Sequence, residues 1–292
     1  WKNHVRGVVA SFQARGFPIG GAQIAIGGNI PQGAGLSSSA SVGVALGKAL
    51  AIINKFSDID ETQIALIAQQ SENDFVGCAC GIMDQLASAR SVADHAMLLD
   101  CRSLDFKPIP IPQKLSLLVI HSGIKRGLVD SAYNERRAQC EKAAGHYGVK
   151  ALRDLDAQRM SDEKGNLDDI SYRRARHVVT ENKRVLDMTT AFKAGDLPAI
   201  SALMAASHQS MRDDFEITLP AIDQLVDLIA GVIGDSGGVR MTGGGFGGCV
   251  VALVPHEKTE AVRSAVEAEY ETPDGAPALI YECKPSCGVT II

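Results

Sequence analysis

The order of apolar and polar positions divides this chain into helical and extended stretches. Val5, Val8, Val9 and Phe12 recur at three- and four-residue steps, which predicts a helix over 1–15 ending near Gly16. Residues 21–26 (GAQIAI) alternate with period two and read as a strand. A glycine-rich stretch follows at 27–35, and then 37–56 reads as a helix packed with small residues. A further helix is expected over 60–75, with Asp60 as N-cap and Ile64, Leu66, Ile67 and Phe75 as its apolar positions. Residues 95–100 form a short strand candidate. The proline-rich 106–114 reads as a linker or edge connection, because proline lacks the N–H that a central strand needs.

Residues 115–123 (LSLLVIHSG) predict a buried strand, and the domain boundary is placed just before it, giving domains 1–113 and 114–292. The second half is richer in helix, with 3.6-period faces over 131–147, 172–193, 197–213 and 219–232. Gly195 closes the second of these; Asp196 caps the third, and Pro198 suits its first turn. Extended runs return at 238–243, 249–254 and 278–284. Helices mixed with antiparallel-looking strands predict an α+β sandwich in each half.

Composition narrows the classes. At 292 residues the chain can build one large or two ordinary cores, and 46% hydrophobic with 22% charged residues is an ordinary globular balance. A formal charge of −5 gives no electrostatic reason to expect nucleic acid or an anionic membrane as partner. No apolar run reaches the roughly 18 residues of a membrane span, and no secretory pattern opens the chain. Seven scattered cysteines, an odd count, argue for free thiols in a reducing compartment, hence the cytoplasm. Cys78 and Cys80 have no second pair at zinc spacing, and the seven histidines form no HExxH pair.

Three segments could carry chemistry. In PQGAGLSSSAS (31–41) glycines lead into serines that open a helix. Phosphate binding needs converging backbone N–H groups, which glycine permits, and a helix start adds about half a positive charge. The stretch is neither a Walker A loop nor a dinucleotide fingerprint, and a plain Gly/Ser turn with a serine cap is the competing reading. In CGIMDQ (80–85) Asp84 sits among apolar residues as a candidate general base, or else as a helix cap or ion-pair partner. MTGGGFGGC (241–249) permits either close approach to a ligand or a tight turn between strands. Arg173, Arg174 and Arg176 read as a solvated basic face, and His121 as a satisfied histidine at the end of a buried strand.

Taken in this order, the motifs resemble those of the GHMP family of small-molecule kinases, and within it the kinases that phosphorylate galactose. The family's P-x-x-x-G-L-S-S-S-A motif falls on 31–40 and its glycine-rich third motif on 241–249. The spellings ENDFVGCACGIMDQ, LLDCRSL, SAYNERRAQC and SHQSMRDDFEIT extend the resemblance over nearly the whole chain.

The resemblance implies a ribosomal protein S5 domain 2-like N-terminal domain and a ferredoxin-like C-terminal domain. It implies ATP and Mg²⁺ as cofactors, galactose as the substrate partner and a monomer. Gly33, Ala34, Gly35, Leu36, Ser37, Ser38 and Ser39 would hold the ATP phosphates, with Trp1 bordering the adenine. Ser38 or Ser39 together with Glu72 would ligate Mg²⁺. Asp84 would be the base for the sugar's C1 hydroxyl, and Gly81, Tyr133, Gly244 and Gly245 would line the sugar. The family's first motif, G-R-x-N-L-I-G-E-H-x-D-Y, supplies an arginine that tunes the base, and it does not occur in these residues. The expectation is therefore a chain that begins inside a longer protein and has little activity alone. Two alternatives remain at this level: a catalytically silent galactose and ATP sensor on the same fold, or a GHMP kinase for a related sugar. The complete Ser37–Ser38–Ser39–Ala40 run favours the enzyme.

Overall fold

Where this chain turns into helix, an aspartate is often waiting at the start. The Asp60 side chain accepts the Gln63 N–H at 2.8 Å, Asp168 that of Ser171 at 2.9 Å, and Asp196 that of Ala199 at 3.1 Å. Each satisfies one of the donors that a helix start leaves without a partner. A computed structural model describes residues 1–30, 36–77, 80–124 and 129–292, which divide into two compact units. Gly33, Ala34 and Gly35 lie outside the described residues, as does Cys78.

The first unit comprises Trp1–Pro110 and Lys284–Ile292. It contains α1 (Lys2–Ala14), α2 (Ser38–Ile53), α3 (Glu61–Gln70), a π-helical turn (Ser71–Val76) and α4 (Met83–Arg90). A hairpin of β1 (His95–Leu99) and β2 (Phe106–Pro110) follows, with His95 opposite Pro110 and Leu99 opposite Phe106. Phe12, Val44, Leu50, Ile64, Ile67 and Leu86 are buried in one core. Glycine brings α2 close to α3: a Cβ at Gly47 would stand 2.9 Å from the Ile64 side chain.

The second unit is Ile111–Cys283. Its elements are β3 (Leu115–His121), α5 (Val129–His146), α6 (Ala157–Asp162), α7 (Asp169–Ala194), α8 (Leu197–Asp213), α9 (Pro220–Ile233), β4 (Gly238–Met241), β5 (Cys249–Pro255), α10 (Thr259–Glu269) and β6 (Leu279–Cys283). The sheet runs in the order β4-β5-β3-β6 with every neighbour antiparallel. Two crossovers, each spanning a strand inserted between the strands it joins, give the βαββαβ ferredoxin-like pattern. Period-two alternation sorts β5 onto both faces. Val250, Ala252 and Val254 pack with Leu225 and Ile229 of α9 and Val262 of α10, while Leu253 and Val251 pack with Ile200 and Met204 of α8.

Several expectations need correction. Residues 21–26 form no strand; 17–30 carry no regular secondary structure, and Ile24 and Ile26 are exposed. Alternation marks a strand only where another strand completes the hydrogen-bond ladder, and no described strand pairs there. The helix expected over 60–75 ends at Gln70 and widens into the π-helical turn, closed by left-handed Gly77, which leaves Phe75 exposed. The run 173–176 is only partly a solvated face: Arg176 is exposed, but Arg174 is only 1% exposed, turned in to donate to Asp214 O and the Glu216 carboxylate. The last nine residues, read as part of the second domain, pack on the first unit: the Gly288 N–H donates to Ser91 O and the Val289 N–H to Ser88 O.

Candidate functional site

In the first unit the serines stand where a helix start meets them. Ser37 is the residue before α2 and is held at φ 54°, a left-handed conformation that costs a non-glycine residue energy. Its hydroxyl makes no capping hydrogen bond. The helix ladder begins with the Ser41 N–H donating to Ser37 O at 3.0 Å, so the N–H groups of Ser38, Ser39 and Ala40 are the orphan donors of this end. Leu36 and Ser37 to Ser39 are half-buried. A strained backbone, with hydroxyls and N–H donors that have no partner among the described residues, is an arrangement an anion could complete.

Glu72 lies in the π-helical turn and is 6% exposed. Its Oε2 accepts from Gln85 Nε2 at 3.1 Å and from Cys80 Sγ at 3.2 Å. Its Oε1 is fully buried and has no partner among the described residues. A buried carboxylate oxygen left bare is costly unless a cation completes it, so this donor fits Mg²⁺. Among the described residues no three His, Cys, Asp or Glu side chains gather to hold a metal. A cation there would depend on Glu72, a serine hydroxyl and phosphate oxygens, which suits an ion that rarely has an all-protein cage.

Asp84 is the second residue of α4, half-buried, in the first turn where the helix dipole favours a negative charge. It neither caps the helix nor joins an ion pair, so among the described residues its carboxylate is uncommitted. Its neighbour Gln85 ties α4 to Glu72 through the 3.1 Å bond to Oε2. Gly81 is exposed just ahead of the helix. Trp1 is 75% exposed and precedes α1, its carbonyl accepting the His4 N–H at 3.0 Å.

In the second unit the ring of Tyr133, on α5, lies 3.9 Å from where a Gly244 Cβ would stand. Gly244 is half-buried, and Tyr133 is 43% exposed. Gly245 is different: it is buried at φ 86°, and a Cβ there would meet Ile217 O at 2.6 Å. The next residue, Phe246, donates its N–H to the same carbonyl at 2.8 Å. Gly248 donates to Ile124 O at 3.0 Å, and its own carbonyl accepts from the Ser122 N–H and hydroxyl. Gly245, Gly247 and Gly248 therefore serve first to pack a turn between β4 and β5, whereas Gly243 is exposed and Gly244 lies beside Tyr133.

Two further groups set this loop and were not apparent in the pattern. His208 Nδ1 accepts the Met241 N–H at 3.3 Å, at the entry to the loop, while its Nε2 lies 3.1 Å from Asp223 Oδ1. Arg136, Arg173 and Arg174 converge on the segment after α8. His121, singled out at the end of β3, accepts the Gly123 N–H at 3.0 Å.

The candidate residues of the first unit are thus a helix start with unpaired N–H groups among the described residues, a buried carboxylate and a half-buried one. Residues 3–91 match the GHMP kinases N terminal domain, and residues 188–272 match the GHMP kinases C terminal domain. The chain is 33% identical to Lactococcus lactis galactokinase, solved in complex with galactose, with a TM-score of 0.88 over 99% of this chain and 76% of that one. It also aligns with L. major mevalonate kinase at 17% identity and TM-score 0.63, over 99% of this chain and 78% of that one. Homoserine kinase from Cytophaga hutchinsonii aligns at 16% and 0.57, over 98% and 77%. These last two show the fold alone. The chain belongs to the GHMP kinase family and has its two-domain α+β architecture, that of a small-molecule kinase with ATP as phosphate donor.

Proposed function

We propose that this protein transfers the γ-phosphate of ATP to the C1 hydroxyl of galactose, giving galactose 1-phosphate in the cytoplasm. One observation carries the choice of sugar. Similarity to a galactokinase holds at 33% identity over 99% of the chain, whereas the kinases for mevalonate and homoserine share little beyond the fold.

The chemistry asked of the protein is positioning and charge neutralisation, since a phosphoryl group passes through a loose transition state. Ser37, Ser38 and Ser39 with the free N–H groups of α2 hold the phosphates, together with the glycines at 33 and 35 and their neighbour Ala34. Trp1 borders the adenine. Glu72 and a hydroxyl of Ser38 or Ser39 hold Mg²⁺, which when bound neutralises charge developing on the phosphate oxygens. The Asp84 carboxylate takes the proton from the C1 hydroxyl as that oxygen attacks the γ-phosphorus, and ADP leaves. Gly81, Tyr133 and Gly244 are the proposed sugar-contacting residues, with Gly245, seated on Ile217, holding the backbone beside them.

The test is a substrate panel with the full-length protein and ATP. Galactose should exceed mevalonate and homoserine in kcat/KM by at least about a hundredfold, with the product identified as the 1-phosphate by phosphorus NMR. Preference for either of the other two would overturn the proposal.

A further inference from the structure

Five consecutive backbone carbonyls follow α8, and each has a partner. Arg173 Nη1 donates to Asp213 O at 2.9 Å, and Arg174 Nη1 donates to Asp214 O. Arg136 Nε donates to Phe215 O at 2.7 Å, and its Nη2 to Glu216 O at 3.1 Å. The fifth, Ile217 O, accepts the Phe246 N–H from the glycine loop. Helix ends leave carbonyls bare and carry negative dipole charge, so three guanidinium groups suit this place. Guanidinium geometry also matters: its planar fork lets one side chain hold two adjacent carbonyls, which a lysine ammonium does less well.

Side chains tighten the brace. The Glu216 carboxylate receives Arg173 on one oxygen and Arg174 on the other, and Glu216 itself sits at φ 52°. These two arginines hold the Glu216 carboxyl below its ordinary pKa. Arg174 spends its remaining Nε on Gln139 of α5 at 2.7 Å. Arg136, also on α5, lies three residues beyond Tyr133 and carries its guanidinium 5.8 Å from the Phe246 ring centre. The same helix thus presents Tyr133 and clamps the segment on which Gly245 and Phe246 rest.

We propose that Arg136 and Arg174 are positioning residues. By fixing residues 213–217 they set the place of the glycine loop against Tyr133, and so govern the affinity for the sugar rather than for the nucleotide. The second clause rests on the galactose reading; the first does not.

The experiment uses Arg174→Lys and Arg136→Lys in the full-length protein, with amide hydrogen exchange read over 242–248 and over β5, and KM measured separately for galactose and ATP. Each variant loses charge-assisted bonds that hold the carbonyls, so exchange in 242–248 should quicken about tenfold while β5 keeps its protection. Galactose KM should rise about tenfold with ATP KM within about twofold. Arg136→Lys keeps the test alive if the more buried Arg174 variant does not fold. Unchanged exchange in 242–248 would overturn the brace, as would a quickening spread equally over β5, which marks general destabilisation. A wild-type protein without galactose turnover, whose variants still quicken the loop alone, would uphold the brace and remove the substrate reading. Equal rises in both KM values would overturn the assignment to the sugar.

Discussion

The glycine loop at 242–248 and the serine-led start of α2 look alike in sequence, yet they are built on opposite principles. In the loop, small residues let backbone reach backbone: Gly245 seats on Ile217, and the Phe246 and Gly248 N–H groups both find carbonyls within the protein. At α2 the Ser37 hydroxyl leaves its helix end uncapped, and Ser38, Ser39 and Ala40 bring orphan N–H groups. Two carboxylates of the same unit are unfinished as well among the described residues, with Glu72 Oε1 bare and Asp84 uncommitted. Groups satisfied within the fold make scaffold; groups left unsatisfied wait for a ligand.

The strongest way to break this contrast is to put a side chain into the packed loop. Gly245→Val must hold a β-branched residue at positive φ and push its Cβ into the Ile217 carbonyl. Strain and overpacking together should cost about 2–5 kcal/mol, read as a lower denaturant midpoint. Wild-type stability in this variant would show the loop to be slack.

A substitution in the unfinished cluster should act in the other direction. Glu72→Gln removes a buried carboxylate whose Oε1 lacks a partner among the described residues. The ligand-free protein should gain about 1–2 kcal/mol while Mg²⁺-dependent ATP binding weakens at least tenfold. Loss of stability with unchanged ATP binding would make Glu72 a structural group.

Acid should loosen the loop's support. His177 stacks on Phe215 at 4.4 Å between centroids, with Ser210 Oγ 3.0 Å from its Nδ1. Burial pushes its pKa down from 6.5 to about 4, and burial lowers that of His208 as well. Between pH 6.5 and 4 the unfolded chain therefore binds protons that the folded one refuses, so stability present above 6.5 is lost as pH falls. Urea midpoints should decline across that window, and His177→Gln should flatten part of the decline. An equally steep curve in the variant would assign the loss elsewhere.

How far the sequence could be read follows the range of the physics. The span 197–213, its Asp196 cap and the buried run at 115–121 are local facts, set by periodicity and by side chains three residues away. Strand pairing is not local, which is why the alternation of 21–26 misled and the packing of Gly288 and Val289 on α4 went unseen. Arg174 shows the same limit: its polar label hides a burial that the Asp214 carbonyl, the Glu216 carboxylate and Gln139 explain. The candidacy of Asp84 and the serines rests on motif order, whereas the brace joins residues 139, 174 and 216, which no short motif spans.

The most direct test is Asp84→Asn in the full-length protein, measured together for phosphoryl transfer, ATP binding and thermal midpoint. The account predicts transfer reduced at least about a thousandfold, with ATP affinity within a few-fold and stability within about 0.5 kcal/mol, because the lost charge has no partner among the described residues. Retention of more than about a tenth of the wild-type rate, or a stability loss above about 1 kcal/mol, would contradict it and make Asp84 part of the scaffold.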